Sequence, residues 1–219
     1  MIKGADMVDN IKVFTHSSIR VQSGDKAIYA DPFEMKQAPH DADIILITHD
    51  HHDHFSPNDI AKIAKPGTVL VVPEKMAKKA EDAKDLVARI ETIAQGESKE
   101  VDGLMIETVP AYNTLKPFHM KSTGWVGYIF EADGKRVYIA GDTDVTKEAM
   151  AVKCDIALVP IGGHYTMDHK DAAALVNVIK PEVAIPTHYG SIVGSPDDGK
   201  KFEKFVDGSI KVEFKIGSN

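Results

Sequence analysis

A chain of 219 residues with 43 % apolar and 27 % charged side chains has the make-up of an ordinary globular protein, long enough to bury a sizeable core. Its 33 acidic residues outnumber 26 basic ones for a formal net charge of −7, and the basic residues are dispersed; this argues against a nucleic-acid-binding face but not against a small anionic substrate, because a metal centre can supply positive charge locally. The single cysteine, Cys154, allows no intrachain disulfide, the opening MIKGADMVDNIKVF has no apolar signal region, and no apolar run approaches the roughly 20 residues that cross a bilayer, so a cytoplasmic protein with no membrane partner is expected.

In chain order, IKVFTHSSIRVQSGDKAIYADPF reads as two strands around an SGDK turn, ended where Asp31-Pro32 breaks the ladder. ADIILIT (42–48) has the continuous apolar pattern of a strand covered on both faces. Ser56 and Pro57 then look like the N-cap and first residue of a helix that Pro66-Gly67 stops. TVLVVP is a further buried strand, and EKMAKKAEDAKDLVARI carries a mixed helical pattern with a charged outer side. A second half begins near Val101. There GLMIETVPAYN reads as a strand and exit loop, and GWVGYIFEADGKRVYIAGDTD as a hairpin around Asp133-Gly134. DIALVPIGG is a buried strand, Asp168 opens a helix running to about Ile179, and EVAIPTHYG is the next strand and its exit. The halves, about 1–100 and 101–219, share one organisation, strands first and then strand–helix alternation. The expectation is one domain with helices packed outside sheets.

The chemistry concentrates in HDHHDH, residues 49 to 54. His49, His51, Asp53 and His54 form H-x-H-x-D-H, a nitrogen and oxygen donor set that suits zinc, manganese or iron, and the absence of cysteine argues against a closed structural zinc site. Side chains at i and i+2 of an extended turn point the same way, so His49 and His51 can grip one ion while Asp53 and His54 reach a second. Asp50 and His52 are read as spacers pointing away. Two more strands end in ligand candidates, Asp142 in VYIAGDTD and His188 in VAIPTHYG. Strand ends on one edge of a sheet converge on a crevice.

THDHHDH, AGDTD and PTHYG, in this order and separation, together with THSS and APHDADIILITH, resemble the metallo-β-lactamase superfamily of hydrolases over nearly the whole chain. The detail is most similar to the small bacterial and archaeal branch related to N-acylphosphatidylethanolamine phospholipase D and ascorbate-6-phosphate lactonase. The resemblance implies an α/β fold, an αβ/βα sandwich of two mixed sheets flanked by helices, with a binuclear site at one edge. It implies that His49 and His51 hold a first metal, that Asp53, His54 and His188 hold a second, and that Asp142 bridges them. Asp53 is the expected catalytic group, orienting the nucleophile or shuttling its proton. One departure stands out. The family's third histidine for the first metal falls on Asn113 in VPAYNTLKPFHM, and His119, six residues later, is the alternative ligand. His16 in THSS matches a histidine that such proteins often place near the metals, either behind the ligands or against substrate.

His164 and Tyr165 follow a strand and the Gly162-Gly163 pair, and with His16 and Asn113 they are candidates to touch substrate. His169 is read as a helix-surface histidine, and Trp125 and Tyr128 as core. The expected function is hydrolysis of a small ester, a phosphodiester or a lactone, by a metal-bridging hydroxide, with two divalent ions (zinc, or else manganese or iron) and a small-molecule substrate as partner. A metal-binding or sensory protein without turnover is the alternative from another class, and a di-iron oxidoreductase the alternative within the superfamily. Self-association stays open.

Overall fold

The computed structural model describes residues 7–217. Six strands, β1 (Ile11–Val13), β2 (Ile19–Ser23), β3 (Lys26–Ala30), β4 (Ala42–Leu46), β5 (Ala64–Pro73) and β6 (Arg89–Ile93), lie side by side in sequence order. The first three pair antiparallel and the rest parallel. The second sheet repeats this plan with seven strands: β7 (Ser98–Val101), β8 (Leu104–Pro110), β9 (Val126–Ala132), β10 (Lys135–Ile139), β11 (Ile156–Pro160), β12 (Val183–Thr187) and β13 (Lys211–Val212). β7 to β10 pair antiparallel, and β10 to β13 parallel.

Alternation within the strands makes the layers. Ile28, Ile44, Leu46, Val69 and Val71 from one sheet meet Ile106, Tyr128, Phe130, Val137, Leu158 and Ile185 from the other in a shared core. The opposite faces carry the helices. Ile45, Ile47, Leu70 and Val72 pack with Ile60 and Ile63 of α1 (Pro57–Ile63) and with Ala80 of α2 (Ala77–Ala80). Ala157, Val159 and Ala184 pack with Ala149 of α3 (Lys147–Met150), with Ala172, Leu175 and Val176 of α4 (His169–Ile179), and with Phe202 of α5 (Asp198–Glu203). The result is the αβ/βα sandwich of two mixed sheets. Among the described residues, no helix is long and apolar enough to cross a membrane.

The caps follow their chemistry. Ser56 takes the Asp59 amide at the start of α1, with Pro57 as its first residue, and Asp168 takes the Lys170 and Asp171 amides at the start of α4. Ala132 pairs with Lys135, so Asp133-Gly134 is a two-residue hairpin loop, both residues at positive φ.

Three expectations are corrected. The stretch from Phe14 to Ser18 interrupts the first segment, where Ser18 N–H donates to Thr15 C=O, so three strands stand where two were read. The helix read over residues 74–90 is a series of short turns around α2, and its end enters β6. Met76, Ala80 and Ala83 do face the core at helical spacing, but the open edge of β5 takes up the backbone from Arg89, and sheet pairing prevails over local propensity. The second sheet begins at Ser98, with a strand not read in the sequence.

Candidate metal centre

The ligand candidates all lie just past the C-terminal ends of strands: His16 after β1, Asp31 after β3, the cluster at 49–54 after β4, His119 in the exit from β8, Asp142 after β10 and His188 after β12. Both sheets deliver them to one edge of the sandwich. Backbone strain collects there too, for His16, Asp31 and His188 hold φ of 52°, 46° and 58°, a left-handed conformation costly for residues with a Cβ.

Two glycines permit the close approach. A Cβ on Gly141 would stand 3.0 Å from Thr48 Cβ, and one on Gly162 would stand 2.3 Å from the His188 carbonyl oxygen. Gly162→Ala is therefore expected to displace the His188 backbone and to lower unfolding free energy by about 1–3 kcal/mol, the usual scale of overpacking. A urea melt with an unchanged midpoint would contradict this packing.

Three groups of donors assemble: His49, His51 and His119; His49, His54 and Asp142; and His16, Asp53, His54 and His188. The His49 and His51 ring nitrogens are 3.2 Å apart. Asp142 Oδ2 lies 3.8 Å from His49 Nε2, 3.3 Å from His119 Nε2 and 3.1 Å from His188 Nε2, and its Oδ1 lies 3.5 Å from His54 Nε2. Asp53 Oδ2 is 3.6 Å from His54 Nε2 and 3.8 Å from His188 Nε2. Donor atoms about 2.0–2.2 Å from one ion in tetrahedral array stand about 3.3–3.6 Å apart, close to this spacing.

The hydrogen bonds behind the rings fix which nitrogen faces inward. Asp31 accepts from the Thr48 amide and hydroxyl at 2.8 and 2.7 Å. With its proton so committed, Thr48 Oγ1 accepts from His49 Nδ1 at 2.9 Å, while His54 Nδ1 donates to Asp31 directly at 2.8 Å. His119 Nδ1 donates to Asn113 Oδ1 at 2.9 Å. Three imidazoles thus turn Nε2 toward one buried region. His54 Nε2, His119 Nε2, His188 Nε2 and Asp142 Oδ1 have no hydrogen-bond partner there. Unpartnered lone pairs converging in a buried site are costly unless a cation sits among them, so these residues fit divalent metal ions.

The electrostatics agree. Burial, reinforced by neighbouring imidazoles, holds His49 well below the ordinary histidine value and lowers His51, leaving both neutral and ready to coordinate. Burial alone would raise the two carboxyls; instead the His188 and His54 rings hold Asp142 well below the carboxylate range, and the bond from His16 does the same for Asp53. Burial also works against charge on His54, but Asp142 and Asp31 outweigh it and push that ring up to about 9. The negative charge around His54 is what a bound cation would neutralise.

Of the two alternatives for the third ligand of the first set, His119 enters the cluster and Asn113 stands behind it. Asn113 Oδ1 also accepts from the His119 amide at 3.1 Å, and its Nδ2 donates to Asp144 at 3.1 Å and to Tyr165 C=O at 2.9 Å. Its amide is fully engaged in these bonds within the protein, with none left over for substrate in this arrangement. His16, read as standing either behind the ligands or against substrate, is fully buried, donates to Asp53 Oδ2 at 3.1 Å and packs on the His188 ring at 3.7 Å.

Trp125, expected in the core, is half-buried against the site, its ring 5.0, 4.8 and 5.3 Å from those of His49, His51 and His119. Tyr128 is core, its hydroxyl donating to Ile47 C=O. His52 and Asp50 are exposed, His164 is exposed beside half-buried Tyr165, and His169 packs on Phe205.

Sequence reading missed Asp31, taken only for a strand breaker, and Asp144. Asp144 accepts from the Thr114 amide and the Lys116 ammonium, holding the His119 loop in place. The DTD in AGDTD was the available signal for Asp144. A cavity of about 450 Å³ bounded by Phe14, Arg20, Tyr29, Met35 and Asp41 contains none of the converging donors, so the site is identified by its lone pairs and not by cavity size.

This edge-of-sandwich site on two mixed sheets defines a class. Residues 10–188 match the β-lactamase superfamily domain, and the chain belongs to the metallo-β-lactamase superfamily. Among curated relatives, it is 33 % identical over 216 residues to a UPF0173 metal-dependent hydrolase of Pyrococcus abyssi, covering 92 % of this chain and 94 % of that one. It is 34 % identical over 212 residues to its counterpart in Pyrococcus furiosus, covering 90 % and 92 %. The fold superposes on Igni18, a metallo hydrolase from Ignicoccus hospitalis, with a TM-score of 0.76 at 26 % identity over 95 % of each chain.

Proposed function

We propose that the chain is a metal-dependent hydrolase of a small ester, a phosphodiester or a lactone, that works with two divalent ions, zinc before manganese or iron. The observation that carries this reading is the buried convergence of unpartnered imidazole and carboxylate atoms at mutual distances suited to shared ions. The names of the curated relatives support hydrolysis. His49, His51 and His119 would hold one ion, Asp53, His54 and His188 the other, and Asp142 reaches both sets. Bound there, two cations would supply an acidified water and a Lewis acid for the carbonyl or phosphoryl oxygen under attack.

The protein's own part is orientation and proton transfer. Asp31 aims His54 directly and His49 through Thr48, and Asn113 aims His119. His16 pins Asp53 Oδ2, the oxygen that also faces His54 and His188, and so holds in place the carboxylate that would orient a water or take its proton. A metal-binding or sensory protein without turnover is favoured by an incomplete first set; the place of His119 beside His49 and His51 supports turnover instead.

The test is elemental analysis of the purified protein, then a chromogenic panel of phosphodiesters, phosphomonoesters, lactones, thioesters and β-lactams in the native metal. Stoichiometric metal with no hydrolysis anywhere in the panel overturns the proposal. Within the site, His119→Ala is expected to release one ion preferentially. Asn113→Ala is expected to weaken that same ion by about 10–100-fold, the scale for losing a group that orients a ligand. Affinities in Asn113→Ala unchanged from those of the unsubstituted protein, followed by competitive chelator titration, would show that the amide does not serve the metal.

A further inference from the structure

The loop from Ala111 to Trp125 does more than present His119. Its neighbours in sequence are apolar and open to solvent: Leu115 is 96 % exposed, Phe118 41 % and Met120 58 %. Three large apolar side chains within six residues are a concentration that exposed loops seldom carry, and such patches mark binding surfaces. The loop is held, not loose. Asp144 takes the Thr114 amide, and the Lys116 ammonium donates to Asp144 Oδ1 at 3.0 Å, to Gly163 C=O at 3.3 Å and to Thr166 C=O.

Two aromatic rings of the loop stand beside the ligand cluster and its rim. Phe118, next to His119, packs edge-on against Tyr165 at 4.8 Å and beside His164 at 5.6 Å, while Trp125, at the loop's end, lies against His49, His51 and His119. His51 is the half-exposed member of its donor set, so Trp125 stands where that set meets solvent. The charges of the loop are spent. Lys116 is matched by Asp144, and Lys121 donates to Glu148 at 2.6 Å. Neither lysine is left to neutralise a second anionic group on a substrate.

We infer that this loop is the substrate-recognising wall of the site, and that it selects esters whose scissile group is attached to an extended apolar chain or aryl body carrying no charge of its own. The inference rests on the hydrolase reading above and narrows it. The scissile carbonyl or phosphoryl faces the donor cluster; the apolar body lies along Trp125, Phe118, Leu115 and Met120, which lose exposed surface when it docks.

The experiment is a chain-length series of p-nitrophenyl acetate, butyrate and octanoate with the metal-loaded protein, repeated with the double variant L115S/M120S. Both positions are exposed, so the variant folds. In the unsubstituted protein kcat/KM is expected to rise about threefold per added methylene, somewhat below the increment for complete burial of each CH2, and the variant is expected to flatten that slope at unchanged metal content. A flat series in the unsubstituted protein overturns the inference, as does an unchanged slope in L115S/M120S.

Should none of these carboxylic esters be cleaved, the hydrolase reading is decided by the wider panel above and not by this series. The wall is then judged by calorimetry with acetate and octanoate as carboxylate probes of the metal-loaded site. Octanoate binding at least tenfold tighter than acetate, with that margin lost in L115S/M120S, upholds the apolar wall; equal affinities overturn it.

Discussion

Asp142→Ala is expected to leave the purified protein with less than one metal ion per chain, the largest loss of any single ligand substitution. The reason lies in its two oxygens. Oδ2 approaches His49, His119 and His188, and Oδ1 approaches His54, so this carboxylate touches members of both donor sets. On the two-ion proposal, removing it would deprive both ions of a ligand and remove the anion that would offset their mutual repulsion. The fold should persist, because Asp142 sits past the end of β10 and outside the three apolar cores. Elemental analysis beside a circular dichroism spectrum reads both quantities. Full metal content in Asp142→Ala would show that the carboxylate bridges nothing.

Asp53→Asn is expected to keep metal at the second set, weakened, and to lower the hydrolytic rate by at least about a hundredfold, the usual scale for losing an acid–base group. The amide retains the shape of the side chain and still accepts from His16 Nε2 through its oxygen, so the position of the group is little changed. What is lost is the negative charge and the ability to take a proton. His169→Ala is the control. Its ring rests on Phe205 at the start of α4, apart from the donor groups, and its rate should match that of the unsubstituted protein. Comparable losses in both variants would mean that proton transfer does not run through Asp53.

Much of the site is legible in the sequence because its chemistry is local. HDHHDH places four donors within six residues, and AGDTD and PTHYG each put a donor directly after a buried apolar strand. The strands themselves are legible where burial on both faces leaves a continuous apolar run, as in ADIILIT and EVAIP, and Asp168 and Ser56 signal helix starts through the amides they cap.

Local pattern fails where a longer-range partner decides the outcome. Residues 74–90 carry a fair helical pattern, but the edge of β5 recruits Arg89–Ile93 as a strand, and no window of sequence contains that edge. Trp125 looks like core by composition, and only the return of β9 beside the β4 exit sets its ring against His49 and His51.

The sequence by itself determined the donor types, their order and the apolar strands that carry them, because these follow from side-chain chemistry and from periodicities of a few residues. Tertiary structure alone set His119 among the converging donors and Asn113 behind it. In the sequence an amide and an imidazole six residues apart are equal candidates for that place. Their roles separate only when Asp144 anchors the loop from a different strand exit and Tyr165 C=O takes the Asn113 amide, turning its oxygen to the back of the His119 ring and the ring's free nitrogen toward Asp142.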